Sequence, residues 1–415
     1  MSDEFTTCRD MLANRRYILS SLVPFHRDPA GRVLVGDLWH RDLMMHLEYI
    51  PDLTILAAET SAPPEGDLMP VEPNPGQKLR FVATGPVLTG RRQLPAALPH
   101  MRRIMQQELR DADVVHSGVA GWPIPPGVLL NPMTIRRGLP LIIAIESAFW
   151  RIPKGTRAGT RWRVEAAATE RFARWSAARA TLGIYTHKSY ATSLPVGKGA
   201  MSAVTPASWI RQEDVISADQ LASLWHDKPT DLRILLASRL TVEKGIGTVL
   251  QALRQLEETG RSIQIDIVGS GTMSDEIRDF ATSASHVRVT MLPEVSYATE
   301  FLPLLRKYHA ILVPTIGDEQ PRVILDAFSQ GVPVIAADTA GNCEVATDGI
   351  NALMFERGNP DGLARCLSDR NLTPARLHKL ADAARDKAVN CTHQMMHRQR
   401  ADLLVRALAG KLPSR

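Results

Sequence analysis

Short apolar runs alternate with helical patterns along almost the whole chain. In the first half, RVLVGDL (32–38), LTILAAE (53–59), LRFVATG (79–85), DVVHSGV (113–119), PLIIAIES (140–147) and TLGIYTH (181–187) read as strands, with a last short one at MSAVTPA. Between them, LMMHLEYI, PAALPHMRRIMQQELRD and TRWRVEAAATERFARWSAARA carry apolar residues at helical spacing. The second half repeats the rhythm. LRILLASRL (232–240), IQIDIVGSG (263–271), VRVTMLP, AILVPT and VPVIAAD predict strands. GIGTVLQALRQLEETG, SDEIRDFATSA, YATEFLPLLRKY and PRVILDAFSQG predict the helices between them. Parallel strands need long return connections, so this alternation predicts two doubly wound α/β units. The polar stretch PASWIRQEDVISADQLASLWHDKPTD has little strand character and marks the divide, giving units at 1–210 and 211–390.

Composition agrees. The chain has 415 residues, 44% hydrophobic and 5% aromatic, enough apolar volume for two cores built mainly from Ala, Val, Leu and Ile. No apolar run approaches the roughly 20 residues of a membrane helix. The start MSDEFTTCRDMLANRR has no apolar signal core, so a cytoplasmic protein is expected. Cys8, Cys343, Cys366 and Cys391 lack metal-ligand spacing and are expected as thiols.

Charge changes the picture. Residues 1–210 hold 25 Lys and Arg against 18 Asp and Glu, and the remainder 24 against 26. Segment 151–179 alone carries eight basic and two acidic residues. There Trp162, Phe172 and Trp175 interleave with Arg157, Arg161, Arg163, Arg171, Arg174 and Arg179. On a helix this makes an amphipathic face with a cationic rim, suited to anionic lipid headgroups. A solvated Arg-rich face is the alternative. Nothing points to nucleic acid.

In open α/β sheets ligands lie beyond the carboxyl ends of strands, so the loops after strands are searched for chemistry. In ASRLTVEKGIG, Arg239 and Lys244 straddle a strand end and a helix start, as a diphosphate requires; a strand-end salt bridge is the alternative. In IVGSGTMS, Gly269 and Gly271 open a helix, but Ser274 stands where a dinucleotide loop has its third glycine. In GDEQPRVILDAFSQGVPVIA, Asp318 and Asp326 lie eight apart at the start of a helix and two turns into it. Carboxylates there either accept hydrogen bonds from sugar hydroxyls or cap the helix. In the first half, Glu146 follows a fully apolar strand, poised for chemistry or for a salt bridge to Arg151. His116 at a strand end either faces a ligand or bonds a backbone group.

Strand–R-x4-K, strand–GSG, strand–acid-x7-acid and then GVPVIA, in this order, resembles the retaining glycosyltransferases of family 4, which have the GT-B fold of two Rossmann-like domains facing across a cleft. The resemblance covers residues 231–365 in motif and 32–210 in rhythm only. It implies a nucleotide-diphosphate sugar as donor and no further cofactor, with a glycan or lipid-linked acceptor on the N-terminal domain. It assigns the diphosphate to Arg239 and Lys244, with Gly269 and Gly271 in the donor loop, the ribose to Asp326, and the donor sugar to Asp318 with Glu319 as its possible substitute. Both family acids are usually Glu, so the two Asp shorten the reach. Pro321 removes an amide from the following turn, leaving those at Arg322 and Val323. Ala340-Gly341-Asn342 matches the small-residue loop after the next strand, and the base is expected near Met291–Pro293.

The family tends to have a Gly-rich loop after its first strand. Here GDLWHRD (36–42) stands in its place, bulky and polar with Gly36 as the only remnant, leaving Gly36, Asp37, Trp39 and His40 as the acceptor side. Glu146 takes the place of a family histidine, with His116 as a second catalytic candidate. The family's last helix crosses back to the first domain, which is expected here for 391–415. No metal is expected. No Asp-x-Asp pair ends a strand, and His393 and His397 sit on a basic C-terminal helix with no acidic third ligand expected nearby. The leading function is retaining hexosyl transfer in polysaccharide or glycolipid synthesis, with peripheral contact to the inner face of an anionic membrane as a further expectation. The alternative is a sugar-nucleotide-binding partner subunit without catalysis. An epimerase or a phosphorylase would need a denser set of acids and histidines or a cofactor lysine in a Gly-rich setting.

Overall fold

The computed structural model describes residues 3–63, 66–152 and 158–412. The chain divides into two compact units, Met1–Thr205 with Met396–Arg415, and Pro206–Met395. Residues 206–210 and 391–395 therefore go with the second unit. The four cysteines are unpaired.

The first unit is built on one mixed sheet. Its strands are β1 (Tyr17–Ser20), β2 (Phe25–Arg27), β3 (Val33–Gly36), β4 (Asp52–Thr60), β5 (Leu68–Pro70), β6 (Lys78–Pro86), β7 (Val114–Gly118), β8 (Leu141–Ile145), β9 (Leu182–Tyr185) and β10 (Met201–Val204). They run in the order β10-β9-β8-β7-β1-β4-β2-β3-β5, with β6 also paired to β4. From β10 to β4 every pairing is parallel, while β3 is antiparallel to β2 and β5.

This corrects one sequence expectation. RVLVGDL is not the first parallel strand but one leg of an antiparallel ribbon. The central strand is β1, which is four residues long and begins directly after Asn14-Arg15-Arg16, too short to stand out. GDLWHRD is not a loop either. Gly36 starts the helix Asp37–Leu47, and a Cβ there would meet nothing within 4 Å. Gly36 is thus no remnant of a Gly-rich loop, and the loop after the true first strand is Ser21-Leu22-Val23-Pro24.

The C-terminal helix His393–Leu408 supplies Ala401, Leu403, Leu404, Ala407 and Leu408 to the same buried cluster as Tyr17, Leu19 and Leu53. Its amphipathic spacing lets one face complete the core under β1 and β4.

The second unit holds six strands, β11 (Arg233–Ala237), β12 (Ile263–Val268), β13 (Val287–Leu292), β14 (Ala310–Val313), β15 (Val334–Ala337) and β16 (Ala352–Phe355). Their order is β13-β12-β11-β14-β15-β16, all parallel. Side chains alternate between two cores. Ile234, Leu312 and Ile335 lie in one, Leu235, Ile311 and Val334 in the other. A strand covered on both faces needs apolar residues at every position, which is why these runs are continuous rather than alternating. The dividing stretch contributes too. The helix Ala218–His226 buries Leu221 and Trp225, and the Trp225 indole donates to the Gly331 carbonyl at 3.0 Å. YATEFLPLLRKY begins not as a plain α-helix but with π-type winding over Tyr297–Phe301, followed by the α-turn Leu302–Leu305.

Leu408 is fully buried in the first unit's core. Leu408→Ala is expected to destabilise that unit by about 2–5 kcal/mol, the cost of a truncated core leucine. Faster amide hydrogen exchange in the β1 and β4 peptides checks it.

Candidate functional site

The chemistry-bearing loops of the second unit are bound to one another through their backbones. After β11, Leu240 donates to the Ser270 carbonyl at 2.8 Å, and Met273 returns a bond to Leu240 at 2.9 Å. After β14, Ile316 and Gly317 donate to the Glu243 carbonyl at 3.0 and 3.3 Å. Two glycines make this closeness possible. Gly269 has φ +137°, and a Cβ there would sit 2.0 Å from the Ser238 carbonyl oxygen. Gly245 has φ +78°, and a Cβ would sit 1.9 Å from the Pro314 oxygen. Any side chain would push the loops apart. Gly271 lies in the same turn, against Leu240.

On this edge the structure brings together most of the sequence candidates. Arg239 is exposed just after β11. Lys244 forms an ion pair with Glu319. Asp318 turns instead to Arg357, 2.9 Å away. The adjacent acids are thus divided: Glu319, not Asp318, holds the lysine assigned to the diphosphate. Asp326 is 4% exposed and accepts a 2.7 Å bond from the Tyr297 hydroxyl. It is no helix cap. Burial pushes it up to about 7, against the opposing pull of the Tyr297 hydroxyl and the Arg322 charge. Arg322 and Val323 start the helix Val323–Ser329, with the Arg322 guanidinium 4.6 Å from the centre of the Trp209 ring. Ala340-Gly341-Asn342 opens the short helix after β15, with Gly341 packed on the Glu319 backbone. Met291 and Leu292 end β13, and Ser270 donates to nearby Glu294 at 2.7 Å.

Sequence reasoning missed Arg357, Tyr297 and Trp209. Arg357 follows β16, so the strand-end rule was signal enough. Tyr297 and Trp209 reach their partners only through the fold.

In the first unit a polar chamber of about 280 Å³, so named for its charged groups although apolar atoms make up most of its wall, is lined by Trp39, Asp42, His46, His116, Glu146 and Arg400, among others. Trp39 faces it from the helix Asp37–Leu47, and its indole N–H is buried without a hydrogen-bond partner among the described residues. Asp37 pairs instead with Arg41, 3.6 Å away on its own helix, and neither it nor His40 lines the chamber. His116 bonds not to backbone but to the Tyr17 hydroxyl, 3.1 Å from Nδ1. Burial, then the charges of His46 and Arg400, lower it to about 3, so its ring is neutral at working pH. Glu146 does not pair with Arg151, which binds Glu170 at 3.0 Å. Glu146 lies 3.6 Å from Arg400.

His397 does have an acidic neighbour, from far along the chain. Its Nε2 is 3.1 Å from Asp42 Oδ1, while the Tyr49 hydroxyl lies 2.9 Å from its Nδ1. Asp42 also approaches His46 at 3.3 Å.

The basic segment keeps less free charge than its sequence promised. Arg161 pairs with Glu165, and Arg174 with Glu170, each at 3.0 Å. Phe172 and Trp175 stack on each other, and Arg179 covers Trp175 at 4.9 Å. Trp162, Arg163 and Arg171 remain exposed on the helix Thr160–Ala177, while Arg157 lies outside the described residues. No helix among the described residues is long and apolar enough to cross a membrane.

Residues 231–369 match the family model "Glycosyl transferases group 1". The chain is 28% identical over 154 residues to glycogen synthase of Mycobacterium tuberculosis, covering 37% of each protein. The match thus spans well under half of that relative. Sucrose-phosphate synthase of Thermosynechococcus elongatus superposes with a TM-score of 0.68 at 16% identity, over 95% of this chain and all of that one. Anabaena HepE in complex with UDP and glucose superposes with a TM-score of 0.61 at 15% identity, over 93% of this chain and 98% of that one. The fold is GT-B, with two Rossmann-like α/β units.

Asp326 also makes a prediction about stability. Its folded pKa is raised above the ordinary 3.8 to about 7, so between these values the folded state holds a proton that the unfolded state has lost. Stability from this group is full below about pH 4 and falls as pH rises towards 7. Asp326→Asn is expected to melt above the wild type at pH 7, with the gap closing towards pH 4, as thermal unfolding across that range will show.

Proposed function

We propose that the protein is a retaining hexosyltransferase that moves a sugar from a nucleoside diphosphate to a glycan or lipid-linked acceptor. The observation that carries this reading is the carboxyl edge of the β11–β16 sheet, whose backbone-linked glycine loops carry the Arg239 and Lys244 cations and whose helix after β14 carries a buried carboxylate, Asp326. A nucleoside diphosphate sugar has the matching parts: two phosphates for the cations, ribose hydroxyls for Asp326, and a sugar for Asp318 or Glu319. The family match over 231–369 and the fold shared with a protein bound to UDP and glucose support it.

Under this reading Arg239, Lys244 and the amides at Arg322 and Val323 neutralise the charge that develops on the leaving diphosphate, without a metal. Such preorganised electrostatics usually contribute most to group transfer. Lys244 must loosen from Glu319 to do so, and the freed Glu319 carboxylate is then available to a sugar hydroxyl. The bond from the anomeric carbon to the phosphate oxygen breaks while the acceptor oxygen bonds on the same face. The acceptor's proton passes to the leaving phosphate. Glu146 is the carboxylate to test for the alternative double displacement. His116, held neutral, serves as a hydrogen-bonding group rather than as a proton carrier.

One observation favours a second reading, a partner subunit that binds sugar nucleotides without transferring them. Both acids at the first family position are already tied to cations, Asp318 to Arg357 and Glu319 to Lys244.

Incubation with a panel of nucleotide sugars, with and without acceptors, separates the two. Release of nucleoside diphosphate with a product of unchanged anomeric configuration supports transfer. Binding with neither transfer nor hydrolysis supports the partner subunit. Lys244→Ala and Arg239→Ala are each expected to lower turnover by about a hundredfold. Nucleotide affinity is expected to rise as pH passes through about 7, because the ionised Asp326 accepts ribose hydroxyls. Asp326→Asn removes that rise.

A further inference from the structure

Beside the polar chamber of the first unit lies a second, larger cavity of about 450 Å³. It sits at the carboxyl-terminal halves of β4 and β6 and just beyond β1, and the helix Leu94–Glu108 closes one side. Its wall is apolar, with Leu22, Leu56, Val87, Ala97, Met101 and Trp122 among its residues. The polar groups in its lining are few, among them Thr84, Gln93 and His100. This size and lining are those of a small-molecule site, which typically spans about 300–1,000 Å³.

The two cavities adjoin. Ser21, Leu22 and Pro126 line both. The junction is formed by the β1 loop and the loop 121–126, which Gly121 lets approach closely. At φ +150°, a Cβ on Gly121 would sit 2.8 Å from Pro125 Cα and 3.2 Å from Leu22 Cδ2. The mouth is unusually apolar for a surface. Leu22 is 58% exposed, Val87 43% and Trp122 62%. Exposed large side chains grouped around a cavity mark a place that apolar matter covers. The neighbouring chamber presents the buried indole N–H of Trp39, which has no hydrogen-bond partner among the described residues, beside the charged side chains of Asp42, Glu146 and Arg400, a setting that suits a hydroxyl-bearing group. A ligand that fills both must be amphipathic.

We infer that this cavity holds the aliphatic tail of the acceptor, whose hydroxyl-bearing end occupies the polar chamber. The acceptor class is therefore an alkyl- or isoprenoid-tailed glycan rather than a free one. This rests on the transferase reading. It also assigns the apolar contact to the β1, β4 and β6 edge and not to the Arg-rich helix Thr160–Ala177.

Octyl, decyl and dodecyl maltosides, titrated below their micelle-forming concentrations, test it against maltose. Affinity is expected to rise about fourfold per added methylene while the chain still finds cavity to fill. Maltose should bind at least about a hundredfold more weakly than the dodecyl compound. Leu22→Asp and Val87→Asp place a charge at an exposed mouth with little burden on folding, and each should flatten the chain-length series. Equal binding of maltose and the alkyl maltosides, or a series unchanged in both variants, overturns the inference. Nucleotide binding measured on the same samples keeps the two claims apart. Nucleotide binding without a tail effect sinks the tail site and leaves the transferase reading standing. A tail effect without nucleotide binding leaves an amphiphile site and removes its assignment to an acceptor.

Discussion

A parallel sheet collects the carboxyl ends of its strands on one edge, and that edge becomes a binding surface only if the loops leaving it close on one another. In the second unit closure depends on backbone contact. The β11 loop bonds to the β12 loop through Leu240 and Ser270, and to the β14 loop through Glu243 and Ile316. Gly269 and Gly245 are the positions where a Cβ would meet a carbonyl oxygen at 2.0 and 1.9 Å. The placement of Arg239, Lys244 and Glu319 follows from this contact. Two continuous apolar cores behind the sheet keep the strand ends in register, and the loops inherit that rigidity.

The first unit solves a different problem. Its core is completed by a helix from the far end of the chain, and apolar packing alone does not fix that helix's rotation. The buried series Tyr49, His397, Asp42 and His46 does, because each polar atom finds a partner only in one setting. Misplacing the helix would leave several of these groups unpaired at a cost of roughly 1–3 kcal/mol each. The same setting brings Arg400 beside Glu146 in the polar chamber. The chamber's charge is thus set by residues some 250 positions apart in a chain of 415.

Much of this was legible in the sequence, and unevenly so. The second unit's strands are buried on both faces, so they read as unbroken apolar runs, and the motifs at their ends fell where the fold puts them. The first unit's central strand is four residues long, and a stronger apolar run at 32–38 masked it. That error carried over to Gly36 and turned a helix into a supposed loop. The carboxylates show a different limit. Spacing put Asp318 and Glu319 after β14 and Asp326 in the helix that follows, which is where the structure has them. Which acid meets Lys244, and that Asp326 is buried against Tyr297, depends on side chains that spacing does not see. Asp42 was invisible beside His397 for the same reason.

The central claim is that the β11–β16 edge grips a nucleoside diphosphate through Arg239 and Lys244. Titration of the protein with UDP, GDP and ADP by calorimetry, beside the double variant Arg239→Ala/Lys244→Ala, tests it most directly. The account predicts that at least one of the three binds and that the double variant loses it. Binding of none, or undiminished binding by the variant, would contradict it and leave the carboxylates of 318–326 as structural groups on a shared fold.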